Sequence, residues 1–167
     1  MDKTINSKNI SVYLALGSNL GDRLANLQEA IRLLPPFVIV QAESPIYQTI
    51  PWGYKDQPDF LNQVILAETS CAPLELLSYL KEIELRVGRT PTFRYGPRVV
   101  DMDIIFYGKQ IIDLPGLKIP HPKASERVFV LVPLNDLEPD FVNPENGQTV
   151  SEMLAKLDVT GIAHFKA

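Results

Sequence analysis

The stretch "RYGPRVVDMDIIFYG", residues 94–108, sets two aspartates two positions apart at the head of an apolar run. Read as a β-strand, it alternates its side chains between two faces. Val100, Met102, Ile104 and Phe106 then share one face, and Asp101, Asp103, Ile105 and Tyr107 the other. The strand completes a series. "NISVYLALG" reads as a first strand ending at Gly17. "GDRLANLQEAIRLL" follows as a helix, with Leu24, Leu27, Ile31 and Leu34 at helical spacing and Pro35-Pro36 as its stop. "FVIVQAESPIY" is a second strand, or two halves broken at Pro45, and "FLNQVILAET" is a third. "APLELLSYLKEIELRVG" is a second helix, with Pro73 in its first turn and Gly88 past its end. The order β-α-β-β-α-β predicts an α+β fold of ferredoxin-like type, an antiparallel sheet with two helices on one face. A short hairpin around "GKQIID" and a short helix near "VSEMLAKL" are expected to follow.

At 167 residues, without an internal repeat or linker, residues 1–167 are expected to form one domain. A hydrophobic share of 46% against 22% charged residues is that of an ordinary globular protein. The net charge of −4 supplies no basic field to recruit nucleic acid or anionic membrane. The one cysteine, Cys71, excludes an intramolecular disulfide framework and any multi-cysteine metal site. With no long apolar stretch and no secretory signal at the N-terminus, a cytoplasmic protein is expected, as a monomer or small oligomer. The 14 prolines exceed the roughly 5% of ordinary usage. They sit at segment edges, so the loops between elements read as shaped by fixed φ angles.

Four segments carry chemistry. Asp101 and Asp103 on one strand face would lie about 7 Å apart at Cα. Their carboxylates can converge on Mg²⁺, which prefers one or two carboxylates plus substrate phosphates; a solvated face paired with Arg94 or Arg98 is the other reading. Arg89, Arg94 and Arg98 share a loop with Tyr95, and guanidinium forks suit phosphate oxygens. "IPHPKASER" holds His121 between prolines, six residues before Arg127, for phosphate contact, proton transfer or a structural hydrogen bond. In "FLN", Phe60 and Asn62 share a strand face, and an aromatic beside an amide suits a flat heterocycle or a structural bridge. No P-loop and no GxGxxG occurs, and Ser18 to Asp22 in "GSNLGD" read as a turn and helix N-cap.

Taken together, "GSNLGD", "DQPDFLNQV", "GR…RYGPRVVDMDI" and "PHP…RVFVLVPL" resemble the 6-hydroxymethyl-7,8-dihydropterin pyrophosphokinase family over roughly residues 10–140. The resemblance implies pyrophosphoryl transfer from ATP, the co-substrate, to the pterin hydroxymethyl group with two Mg²⁺ ions, leaving AMP, in folate biosynthesis. It implies metal binding at Asp101 and Asp103, and catalytic phosphate contacts at Arg89 and Arg98. His121 and Arg127 would face ATP. Phe60 and Phe129 would sandwich the pterin, with Asn62 and the loop around Thr49 and Trp52 reading its edge. Loops 48–58 and 88–97 resemble those that close over the substrates. Pro91 stands where the family often has a second basic residue, and Tyr95 where some members have Trp. Lys81 and Lys118 fall near ATP-contacting positions without a role being assigned. The implied partners are small-molecule substrates alone, with no nucleic acid and no membrane, and a monomer is expected. Two rival readings are a ferredoxin-like nucleic-acid module and another Mg²⁺-dependent nucleotide transferase with a different acceptor.

Overall fold

Strand β1 (Ile10–Ser18) is followed in the computed structural model by helix α1 (Arg23–Arg32), and by strands β2 (Val38–Glu43), β3 (Tyr47–Thr49) and β4 (Phe60–Thr69). Helix α2 (Pro73–Val87) then leads into β5 (Asp101–Tyr107). The structure describes residues 9–51, 53–88 and 94–166. This is the βαββαβ order, with the second strand broken in two at Pro45, where proline has no N–H to give. The break leaves no loose ends: Ser44 N–H donates to Val64 O at 2.9 Å, and the Ser44 hydroxyl accepts from Val64 N–H at 3.0 Å. Across the sheet the order is β5-β1-β4-β3, with β2 also on β4, and all pairs are antiparallel.

Local chemistry sets the helix ends. The Asp22 carboxylate accepts from Ala25 N–H at 3.1 Å to cap α1, as the sequence predicts. Pro73 opens α2, and Glu75 reaches back to the N–H of Ala72 at 2.8 Å. Leu27, Ala30 and Leu34 join Leu76, Leu80 and Ile83 in one core against Leu14, Leu16, Ile65, Met102 and Ile104.

After β5 come the hairpin β6 (Ile112–Leu114) and β7 (Leu117–Ile119), helices α3 (Val128–Leu137) and α4 (Val150–Leu154), and strand β8 (Ile162–His164), which pairs with β3. The hairpin turns at Pro115–Gly116, a few residues later than "GKQIID" suggests. Helix α3 is not expected from the sequence. With α4 it covers the second face of the sheet, packing Val130, Leu131, Leu134, Val150 and Met153 on Tyr13, Val64, Ile105 and Phe106.

Strand β5 departs from simple alternation. Tyr13 pairs with Phe106 but Leu14 with Ile104, leaving Ile105 as an extra residue, a β-bulge. Beyond it the faces exchange: Phe106 joins Ile105 in the second core, and Tyr107 joins the helix-side core. The bulge also frees the Ile105 carbonyl, which accepts the backbone N–H of His121 at 3.1 Å.

Candidate active site

The acid pair lies on the α3 side of the sheet, opposite the smallest residues of β1. Asp101 pairs with Gly17 and Asp103 with Ala15, so no bulky side chain stands over the carboxylates on that flank. From below, Glu84 of α2 is almost fully buried, and its carboxylate accepts the N–H of Met102, between the two acids, at 2.7 Å. Lys81 Nζ lies 3.2 Å from the same oxygen. Burial first, and then the charge of Asp101, push the Asp103 carboxyl up to about 7. Its side chain remains 28% exposed and within reach of the cleft, with Arg127 Nη1 at 3.9 Å. Two carboxylates that share a strand face and line one cleft form a donor set suited to Mg²⁺. Among the described residues there is no cluster of three or more protein ligands, and magnesium, which takes part of its shell from phosphates, needs none.

In the loop before β5, Arg98 is tied by its backbone. Its N–H donates to Asn19 Oδ1 at 2.8 Å, and Asn19 N–H donates to its carbonyl at 3.0 Å. Asn19 is buried and also donates through Nδ2 to Gln57 Oε1 and Pro58 O, both at 2.9 Å. Gln57 in turn donates to the carbonyls of Tyr54 and Tyr95 at 2.7 Å. This latch joins the β1 end to both candidate substrate loops. At its heart Gly53 lies so close to the Tyr95 ring that a Cβ there would sit 2.8 Å from it.

His121 Nδ1 accepts the N–H of Lys123 at 3.1 Å, which leaves the ring proton on Nε2 as a donor. Burial, followed by the charge of Arg127, lowers its pKa to about 4. The ring is therefore neutral at pH 7. Arg127 occupies the N-cap position of α3, and its guanidinium lies 5.5 Å from the centre of the Phe129 ring.

Thr49, Phe60, Asn62, Arg98, Asp101, Asp103, Arg127 and Phe129 all line one cleft of about 100 Å³. Asn62 pairs with Gly17 on the side away from Asp101, so Asn62, Gly17 and Asp101 form one row across three strands. The Asn62 amide donates to Thr49 Oγ1 at 2.6 Å. Its Oδ1 stands over Gly17, where a Cβ would sit 2.8 Å away. His121 is not among the residues that line this cleft, and Arg89, Pro91 and Trp52 fall outside the described residues. Sequence reasoning missed Glu84 and the latch residues Asn19 and Gln57. Glu84 had a signal, a carboxylate four residues after Leu80 on the buried stripe of α2.

Residues 13–139 match the family model of 7,8-dihydro-6-hydroxymethylpterin-pyrophosphokinase. The chain belongs to this family. It is 46% identical over 154 residues to the 2-amino-4-hydroxy-6-hydroxymethyldihydropteridine pyrophosphokinase of Pseudomonas aeruginosa, covering 90% of this chain and 94% of that protein. The Aquifex aeolicus protein of the same name is 42% identical over 134 residues, covering 80% and 84% of the two. A folic acid synthesis protein of Dictyostelium discoideum is 42% identical over 159 residues, 95% of this chain, which spans only 24% of that longer protein. A crystal structure of Plasmodium falciparum HPPK-DHPS shares the fold, with a TM-score of 0.73 at 17% identity, covering 92% of this chain and 45% of that one. The family's activity is pyrophosphoryl transfer from ATP to 6-hydroxymethyl-7,8-dihydropterin in folate synthesis, and the chain is an enzyme of that class. Among the described residues, no helix is long and apolar enough to cross a membrane.

Proposed function

We propose that the cleft between Asn62 and Asp101 is where this pyrophosphokinase works, with the pterin at the Asn62 end and the ATP phosphates at the Asp101 end. The row Asn62–Gly17–Asp101 carries the proposal. Two interstrand steps span ~10 Å, a reach that suits a bicyclic heterocycle with its hydroxymethyl arm directed at a phosphate.

Asp101 and Asp103 would hold two Mg²⁺ ions, which neutralise phosphate charge and activate the attacking oxygen. The protein's own residues do the rest. Phe60 and Phe129 present ring faces to the heterocycle, and Asn62 and Thr49 offer hydrogen bonds to its edge, joined by Trp52. Arg98 and Arg127 face the phosphate end, where guanidinium groups stabilise charge that develops as the hydroxyl oxygen attacks the β-phosphorus and AMP departs. Arg89 is assigned to the same task. His121 donates from Nε2 to ATP. The loops tied by Asn19 and Gln57 keep water, a competing acceptor, from the reacting centre. Residues 1–167 act as one domain, as a monomer in the cytoplasm, on small-molecule substrates.

The test is AMP formation by the purified protein. It should require ATP, Mg²⁺ and the hydroxymethyl pterin together, and Asp101→Ala or Asp103→Ala should cut turnover by orders of magnitude with the fold intact. Near-normal turnover in both variants would refute the metal assignment. A nucleic-acid module is disfavoured by the fold itself, because α3 and α4 cover the sheet face on which such a module would stack bases.

A further inference from the structure

The family match ends at residue 139, before β8, yet β8 is seated against the heterocycle end of the cleft. It pairs with β3 in the register Tyr47 to His164, Gln48 to Ala163 and Thr49 to Ile162. The pairing continues past both ends. Ile50 N–H donates to Gly161 O at 3.2 Å, and Phe165 N–H donates to Ile46 O at 2.8 Å. Strand β3 has only three residues, and Thr49, its last, and Ile50, the next, line the cleft. Held by β4 alone, β3 would be a three-residue edge, shorter than strands usually are. With β8 it is an inner strand.

Side chains add to the ladder. The Tyr47 ring lies 4.6 Å from that of His164, and its hydroxyl donates to Asp136 on α3. Gly161 has φ +88°, which favours glycine, and a Cβ there would lie 2.9 Å from Ile50 Cδ1, so glycine also leaves room for the Ile50 side chain. Past β8, the guanidinium of Arg23 lies 5.8 Å from the centre of the Phe165 ring. Arg23 Nη1 also donates to the carbonyl of Asp59 at 3.1 Å, immediately before Phe60. The segment thus reaches both walls of the heterocycle end, Thr49 and Ile50 through the ladder and Phe60 through Arg23.

We infer that β8 is a positioning element for pterin: it holds Thr49 and Ile50 in the bound geometry, so that affinity for pterin, and not for ATP, depends on it. This rests on the assignment of Thr49, Phe60 and Asn62 to the pterin. Ordering a loop at the moment of binding costs affinity, and β8 meets that cost on folding.

The test uses the full chain. Because Ile50–Gly161 and Ile46–Phe165 are hydrogen-bonded pairs, the alternation of an antiparallel ladder makes Gln48–Ala163 one as well. Ala163 is exposed, so Ala163→Pro removes a ladder donor without emptying the core. Pterin affinity, measured by calorimetry with a non-hydrolysable ATP analogue present, should weaken about tenfold, with KM for pterin rising alike. Analogue affinity and kcat at saturating pterin should stay within about twofold. In the wild type, amide exchange at Ile50 and Phe165 should slow on adding pterin and not on adding the analogue alone, a reading that stands even if the variant fails to fold. Unchanged pterin affinity in a folded variant, or exchange at Ile50 and Phe165 indifferent to pterin, overturns the inference. A wild type that binds no pterin overturns the assignment of the cleft instead.

Discussion

Gly17→Ala should damage pterin recognition while sparing ATP binding. Gly17 is not in the left-handed region, so alanine meets no backbone strain there. What it meets is Asn62 Oδ1 at 2.8 Å, 0.6 Å short of the 3.4 Å at which ordinary contact begins. The backbones at that point are fixed by ladders on both sides of β1, so the amide is the part that gives way. Its retreat disturbs the 2.6 Å hydrogen bond to Thr49. A hydrogen bond of this kind is worth about 1 kcal/mol net, and up to about 3 where a buried partner is left unsatisfied. Taking ~1–2 kcal/mol, pterin affinity should fall roughly 5- to 30-fold. Calorimetric titration with pterin reads this directly, with an ATP analogue as control and thermal melting as the check on folding. The melting temperature should fall by only about 2–4 °C per kcal/mol lost. Unchanged pterin affinity would refute the argument that Asn62 reads the heterocycle, and an equal loss of ATP affinity would refute the division of the cleft into two ends.

Three further outcomes follow from buried polar groups. Glu84→Ala leaves the N–H of Met102 buried without this acceptor and should cost about 1–3 kcal/mol in denaturant unfolding. Mg²⁺ affinity should fall with it, and Glu84→Gln, which keeps an acceptor, should restore most of both; equal loss in the two variants would contradict the role of the hydrogen bond. The Asp103 carboxyl is raised in the folded protein from 3.8 to about 7 by burial and Asp101. Its contribution to stability is therefore full below pH ~4 and lost as the pH rises to about 7. Without metal, the melting temperature of Asp103→Asn relative to wild type should climb across that window and level off above it; a flat difference would deny the shift. The His121 imidazole is lowered from 6.5 to about 4 by burial and Arg127, so its stabilising contribution is present above pH 6.5 and lost as the pH falls towards 4. Its NMR signals in the substrate-free protein should keep the neutral pattern from pH 8 down to about 5.5, and a midpoint near 6.5 would show the ring to be solvated.

The elements legible in the sequence are those where one face meets a core and the other does not. Helices α1 and α2 announce themselves through apolar spacing and through Asp22, Pro73 and Gly88 at their ends. Helix α3 does not. "VFVLVPLNDL" is apolar almost throughout, β-branched at its start and interrupted by Pro133, so local propensity points to a strand and tertiary packing on the second sheet face overrides it. The bulge at Ile105 is hidden for a similar reason, since every residue from Ile104 to Tyr107 is buried and a run apolar on both faces carries no period.

The candidate site follows the same logic with polar residues. Asp101, Asp103 and Asn62 stand out because each interrupts an apolar strand, and alternation then says which neighbours share their face. Asn19 and Gln57 sit in loops where polar residues are ordinary, and only the folded chain shows Asn19 buried and bonded to two other segments at once. Strand β8 is the extreme case: "IAH" has too few residues to show a period, and its identity as a strand comes from β3 beside it. Groups meant to meet ligands are conspicuous in a sequence because they break its local pattern. Groups that hold those groups in place are paired within the fold, and their roles appear only with their partners.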